Sequence, residues 1–112
     1  MKIVKVEAQT SLPNPHKVDV RRISDQENAQ VVHITLLPGE DLKKHITPVD
    51  VFFYVLEGQG VVEIGAERAE VERDTLIESP ARIAHRWINE SDGPLRILVV
   101  KIGRSNEATK ML

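Results

Sequence analysis

The chain has 112 residues, 41 % hydrophobic and 29 % charged, a composition that fits one globular domain and excludes a disordered segment. Its net charge is −2, and its basic residues form only short pairs such as Arg21-Arg22 and Lys43-Lys44, so it lacks the basic face that nucleic acid binding requires. Cysteine is absent, which excludes disulfides, thiolate nucleophiles and cysteine zinc sites together.

The N-terminal MKIVKVEAQT has no apolar core of the signal-peptide kind. No window approaches the roughly 20 apolar residues of a membrane span. A soluble cytoplasmic protein with no membrane or nucleic acid partner is expected. KIVKVEA (2–8) alternates and predicts an edge strand. SLPNPH (11–16) holds two prolines and an asparagine and predicts an extended turn, with His16 exposed on it. VDVRRI (18–23) predicts a strand, SDQEN (24–28) a polar turn and the β-branched QVVHITLL (30–37) a strand. PGED (38–41) is a turn.

VFFYVLE (51–57), the connection GQG and VVEIG (61–65) predict a hairpin. AEVE (69–72) and TLIES (75–79) follow as short strands. PARIAH (80–85) is extended after its proline, RWIN continues it, and NESDGP (89–94) is a turn headed by Asn89. LRILVVKI (95–102) is a closing strand, and GRSNEATKML is either a short helix or a frayed tail. Roughly nine or ten strands with turns every 8–12 residues and no long helix predict an all-β sandwich or barrel, residues 1–112 as one domain.

The chemical inventory is short. There is no Gly-rich phosphate loop and no Gly-x-Ser-x-Gly elbow, and none of Ser11, Ser24, Ser79, Ser91 and Ser105 adjoins a histidine. Of the four histidines, His45 and His85 stand in similar contexts: a turn, a few residues, the histidine, then a β run. Imidazole is the commonest protein ligand for transition metals, and two histidines on different strands facing one lumen make half of a metal site.

The spacing resembles the cupin superfamily. Gly39, five residues, His45, one residue, Thr47 and later Gly58 are similar to the first cupin motif, G-x5-H-x-H-x(3,4)-E-x6-G, over about 39–58. Pro80, Arg82, His85 and Asn89 are similar to the second, G-x5-P-x-G-x2-H-x3-N, over about 74–89. The resemblance implies a double-stranded β-helix, an antiparallel jelly-roll barrel of two sheets, often a homodimer. In a dimer, the strand at 2–8 is the segment expected to pair or pack across the interface. It also implies a divalent transition metal (iron, manganese, nickel, zinc or copper) held by three histidines and a glutamate.

The chain departs from that ligand set. Thr47 stands at the second histidine, Val51 at the glutamate, and Asp74 and Arg82 at the two glycines of the second motif. His45 and His85 remain as metal candidates, with Asp50 and His33 as weaker ones. Asp50 would need a bulge to turn inward. Parity puts Val51, Phe53 and Val55 on one face of their strand, Ile83, His85 and Trp87 on one face of theirs, and Tyr54 outside. A pocket walled by Phe53 and Trp87 and anchored by His45, Thr47, His85 and a rim Arg82 is expected to hold a small molecule. Of Arg21 and Arg22, one is expected to face the cavity and favour an anionic ligand. Three functions follow: a small-molecule binder, a metal-dependent oxygenase, isomerase or lyase, and a non-catalytic dimeric binding or sensing module.

Overall fold

The computed structural model of the protein describes residues 1–103 and 108–112. Its strands are β1 (Asp19–Asp25), β2 (Ala29–Leu36), β3 (Asp41–Ile46), β4 (Asp50–Glu57), β5 (Gln59–Ile64), β6 (Glu67–Glu72), β7 (Leu76–Ser79), β8 (His85–Ile88), β9 (Leu95–Ile102) and β10 (Lys110–Met111). They form two five-stranded sheets, β1-β2-β9-β4-β7 and β10-β3-β8-β5-β6, antiparallel at every pairing. This is the jelly-roll barrel expected from the sequence. Among the described residues, no helix is long and apolar enough to cross a membrane.

The alternation of the strands decides what the two sheets enclose. Along β4, Val51, Phe53 and Val55 are buried and the intervening residues are not; along β9, Leu95, Ile97 and Val99 do the same. Together with Leu36, Leu42 and Trp87 they make one apolar core. Each fully buried aliphatic or aromatic side chain contributes roughly 1.5–3 kcal/mol, so the alternating register is strongly held.

Three expectations change. Residues 2–8 form no strand: Val6–Ala8 make a single 3-10 turn, and the Arg21 guanidinium holds the segment by its Val6 and Glu7 carbonyls at 3.3 and 3.4 Å. Alternation alone does not supply a partner strand, and pairing across an interface has no strand there to act through. DLKKHI, which no sequence pattern marked as a strand, is β3. The tail holds a short strand, β10, paired to β3 at Lys110–Ile46 and Met111–His45; residues 104–107, including Ser105, lie outside the described residues.

The turns preserve the family backbone where the residues differ. Asp74 and Arg82, at the two glycine positions of the second motif, have φ of +62° and +66°, the left-handed conformation that glycine adopts freely. Asp74 is supported by an N–H bond to the Val55 carbonyl at 2.8 Å and by the Tyr54 hydroxyl at 3.0 Å. Asn89 is more than a turn former. It is fully buried, and its amide donates to the carbonyls of Leu36 (2.8 Å) and Gly93 (2.9 Å) while its oxygen accepts from Ser91 N–H (3.0 Å).

Gly58, between β4 and β5, has φ +84°, and a Cβ there would run into the backbone carbonyl oxygen of Pro94. Left-handed backbone costs a non-glycine residue about 1–2 kcal/mol before any clash is counted. Gly58→Ala is therefore expected to lower the unfolding free energy by at least about 2 kcal/mol in a urea titration. A loss under about 0.5 kcal/mol would show that the turn relaxes freely.

Candidate functional site

A bulge in β3 creates the site. Leu42 faces Trp87 on β8 and His45 faces His85, so three residues of β3 span what two of β8 span. Without the extra residue, the inward positions after Leu42 would be 44 and 46. The bulge resets the parity and turns His45 inward, opposite His85. Thr47, two residues on, is buried on the same side.

Both backbone groups of the bulged Lys43 are taken by imidazoles. Its N–H donates to His16 Nδ1 at 2.8 Å, and its carbonyl is 2.7 Å from His45 Nδ1. His16 reaches this point because its loop is clamped. The Asn14 amide donates to the carbonyls of Leu12 and Val18, its oxygen accepts from His16 N–H, and Lys17 closes the turn at φ +58°. His16 is thus half-buried against His45, with ring centroids 4.9 Å apart, and not exposed as its turn-rich context predicted.

The tautomers follow from one fixed end of the network. The Lys43 carbonyl can only accept, so His45 Nδ1 carries a hydrogen and neutral His45 presents its lone pair at Nε2. His45 Nε2 lies 3.0 Å from His85 Nε2, which must then donate. His85 Nδ1 is left to accept from the Ser79 hydroxyl at 2.8 Å. Thr47 Oγ1, 3.3 Å from His85 Nε2, takes a weaker share of the same hydrogen. The result is a directed chain from Ser79 through His85 and His45 to the Lys43 carbonyl. Phe53 supports it edge-on to His85, at 5.1 Å.

All three imidazoles are held neutral. Burial pushes His85 down to about 3, aided by the charges of His45, Lys101 and His16. Burial lowers His16 to about 4, with His45 next in effect. Burial lowers His45 as well, against the opposing pull of the Lys43 carbonyl. These groups line a cavity of about 310 Å³ between the sheets, whose apolar wall includes Val32, Ile34, Val51, Phe53 and Val99.

The expected site residues divide. His45, Thr47, His85 and Phe53 line the cavity together. Trp87 does not: it is fully enclosed in the core, edge-on to Phe53 at 5.4 Å. Ile83 precedes β8 and is exposed. Arg82 lies on the exposed 80–83 turn, where its backbone N–H, 2.9 Å from the Thr47 carbonyl, fixes the threonine. Asp50 points away, as its parity requires, and accepts from Ala81 N–H at 2.8 Å. His33 is on the opposite face of β2 from Val32 and Ile34, and its Nε2 accepts from Arg96 at 3.1 Å. Arg22, not Arg21, lines the cavity.

Three residues of the site escape the sequence reading: His16, Ser79 and Lys101. Lys101 was readable, because it continues the inward parity of Leu95, Ile97 and Val99. His16 and Ser79 were not, because long-range contacts place them.

The donor set does not fit the metal centre that the motifs imply. Among the described residues, no three His, Cys, Asp or Glu side chains converge on a point that could hold a metal ion. The nitrogens of His45 and His85 face one another as a hydrogen-bonded pair, Thr47 adds a neutral hydroxyl, and Lys101 brings a cation to the same cavity. Zinc sites normally draw at least three protein ligands.

The family model described as the cupin domain matches residues 32–101. The tetracenomycin polyketide synthase protein TcmJ of Streptomyces glaucescens is 34 % identical over 67 residues, 59 % of this chain and 45 % of that protein. The chain thus spans less than half the length of the curated relatives it matches. The structure of TT1209 from Thermus thermophilus superposes with a TM-score of 0.80 at 31 % identity, covering 94 % of this chain and 100 % of that one. The polyketide cyclase RemF of Streptomyces resistomycificus superposes at 0.85 over the whole of this chain and 85 % of its own, at 18 % identity, a likeness of fold alone.

A pH dependence follows from the buried imidazoles. His85 and His16 fall from 6.5 to about 3 and about 4 in the folded state, so between those values and 6.5 the unfolded chain binds protons that the folded chain refuses. The stability they contribute is complete above about pH 6.5 and is lost progressively as the pH falls toward 4 and then 3. Urea titrations from pH 7.5 to 4.5 are expected to show this decline, shallower in His85→Gln. Imidazole NMR signals of His16 and His85 that titrate near 6.5 would contradict it.

Proposed function

The chain belongs to the cupin family, and on that premise we propose that it binds a small, largely apolar organic molecule inside the barrel, anchored by hydrogen bonds to His16, His45, His85 and Thr47 and without a resident metal ion. One observation carries this reading. The His45–His85 pair, 3.0 Å apart, stands at the wall of a cavity of about 310 Å³ that is otherwise mostly apolar. Apolar walls with a few convergent polar groups are the usual composition of a small-ligand site. His16 contributes a donor: its Nδ1 accepts from Lys43, so the neutral ring carries its hydrogen on Nε2.

A second reading is favoured by the directed chain Ser79–His85–His45. Neutral imidazoles near pH 7 can accept a proton from a bound ketone or phenol and return it, which is general acid–base catalysis. The named relatives, a polyketide synthase protein and a polyketide cyclase, make aromatic or polyketone ligands the first class to test. In this reading His45 Nε2 takes the proton and returns the same proton to the product, while His85, held by the Ser79 hydroxyl, stays neutral and positions His45.

Binding is tested with the uncharged aromatic 1-naphthamide at pH 7.5. Saturable binding at one site per chain is expected, weakened about tenfold or more in His45→Ala and in His85→Ala, the loss of one to two hydrogen bonds. Val99→Phe, which fills the cavity but leaves the histidines, is expected to abolish it. No saturable binding by the wild type of 1-naphthamide, its anionic counterpart 1-naphthoate or 1-naphthol would refute the reading. Metal content of the purified protein is expected to stay below about one tenth of an ion per chain after addition of Fe, Mn, Ni or Zn. For the acid–base reading, the protein should accelerate deuterium exchange at the methyl group of 2-acetylnaphthalene, and His45→Ala should not.

A further inference from the structure

Lys101 sits at the inward position of β9 that follows Leu95, Ile97 and Val99, so its side chain enters the cavity from the apolar sheet. Its register neighbours are Gln30 on β2 and Val51 on β4, neither of which is charged. Among the described residues, its ammonium group has no hydrogen-bond or ion-pair partner. Arg22, the other cation on the cavity wall, has Asp25 at 4.0 Å. Among the described residues, no aspartate or glutamate lines the cavity.

Lys101 is half-buried, and charges drawn out of water in folded proteins are normally paired. Here burial lowers the basicity of Lys101, with Arg22 adding to the effect. The charge of Lys101 in turn lowers His16, His45 and His85, so it is close enough to be felt across the whole site. Among the described residues the cavity therefore has a polar arrangement with one element absent: neutral imidazoles on one side, an unpaired ammonium on the other, and no anion between them.

We propose that the ligand is an organic anion, an apolar or aromatic body bearing one ionised oxygen group, whose charge pairs with Lys101 while its remaining oxygens meet the imidazoles. This rests on the binding reading above and narrows it to a class. A carboxylate and an ionised phenol or enol share that chemistry. Neither His16, His45 nor His85 would need to be charged, since Lys101 supplies the countercharge. Thr47 and the N–H of His16 supply the hydrogen bonds.

The test compares 1-naphthoate with 1-naphthamide, which has the same ring and no charge, on the full chain at pH 7.5 by isothermal calorimetry. A third arm uses 1-naphthol at pH 7.5 and pH 9.5 to separate a phenolate from a carboxylate. The wild type should bind naphthoate about tenfold or more tightly than naphthamide. Lys101→Met should erase that difference while leaving naphthamide affinity within about twofold, and Lys101→Arg should retain most of it. Lys101→Met should also fold, with a midpoint raised by about 4 °C, because an unpaired charge is removed. Equal affinity for the two probes, or a preference that survives Lys101→Met, overturns the anion assignment and leaves the binding reading intact. Failure of naphthoate, naphthamide and naphthol alike to bind the wild type overturns both. Tightening of naphthol at pH 9.5 alone, without naphthoate binding, assigns the site to phenolates and keeps the proposal.

Discussion

The site depends on the extra residue that β3 carries between Leu42 and His45. A regular strand would present Lys44 to the barrel interior, and an ammonium there would face the apolar core. The bulge substitutes an imidazole for that ammonium. It also withdraws the backbone N–H and carbonyl of Lys43 from β-ladder pairing, and a bulge normally leaves such groups to solvent. Here His16 takes the N–H and His45 takes the carbonyl. The loop that carries His16 and the strand that carries His45 are thereby fixed by the same residue, and the tautomers of three rings follow from one peptide group on each side of it.

The backbone of the family and its ligand set separate cleanly in this chain. Asp74 and Arg82 keep left-handed φ values where the motif has glycine, and Asn89 keeps its buried turn bonds. The scaffold is therefore specified by backbone conformation and by one buried amide, neither of which involves a metal. Thr47 and Val51 change only what the scaffold holds out. Val51 becomes apolar wall and Thr47 a neutral hydroxyl, so the polar content of this wall falls to groups that donate and accept without charge.

The β architecture was legible in the sequence where burial alone sets the pattern. VFFYVLE, QVVHITLL and LRILVVKI alternate because one face of each meets the core, and their register follows. The pairing of His45 with His85 was also legible, since two motifs in order fix which strands meet. The orientation of His45 was not, because it depends on a bulge whose only trace is two lysines in a short strand. His16 was hidden for a related reason: PNPH reads as an exposed turn, and only Lys43, 27 residues away, draws the ring inward. Residues 2–8 show the converse error, an alternating pattern with no strand available to pair it. Trp87 lies on the inward face as parity requires, yet it is one layer too deep to touch the cavity, a distinction that parity does not carry.

The loss of two ligands and the presence of Lys101 are one physical change. A divalent ion between His45 and His85 and an ammonium on the opposite wall would repel each other, as like charges do in a site partly shielded from water. A glutamate at position 51 would offset that repulsion, since Val51 is the register neighbour of Lys101 on β4. It would also neutralise the lysine, leaving neither an unpaired cation nor a purely apolar wall. With valine there instead, Lys101 has no anionic partner among the described residues that line the cavity. Neutral imidazoles fit that field better than protonated ones, which accounts for their depressed basicity in the same terms: burial first, then the neighbouring positive charges.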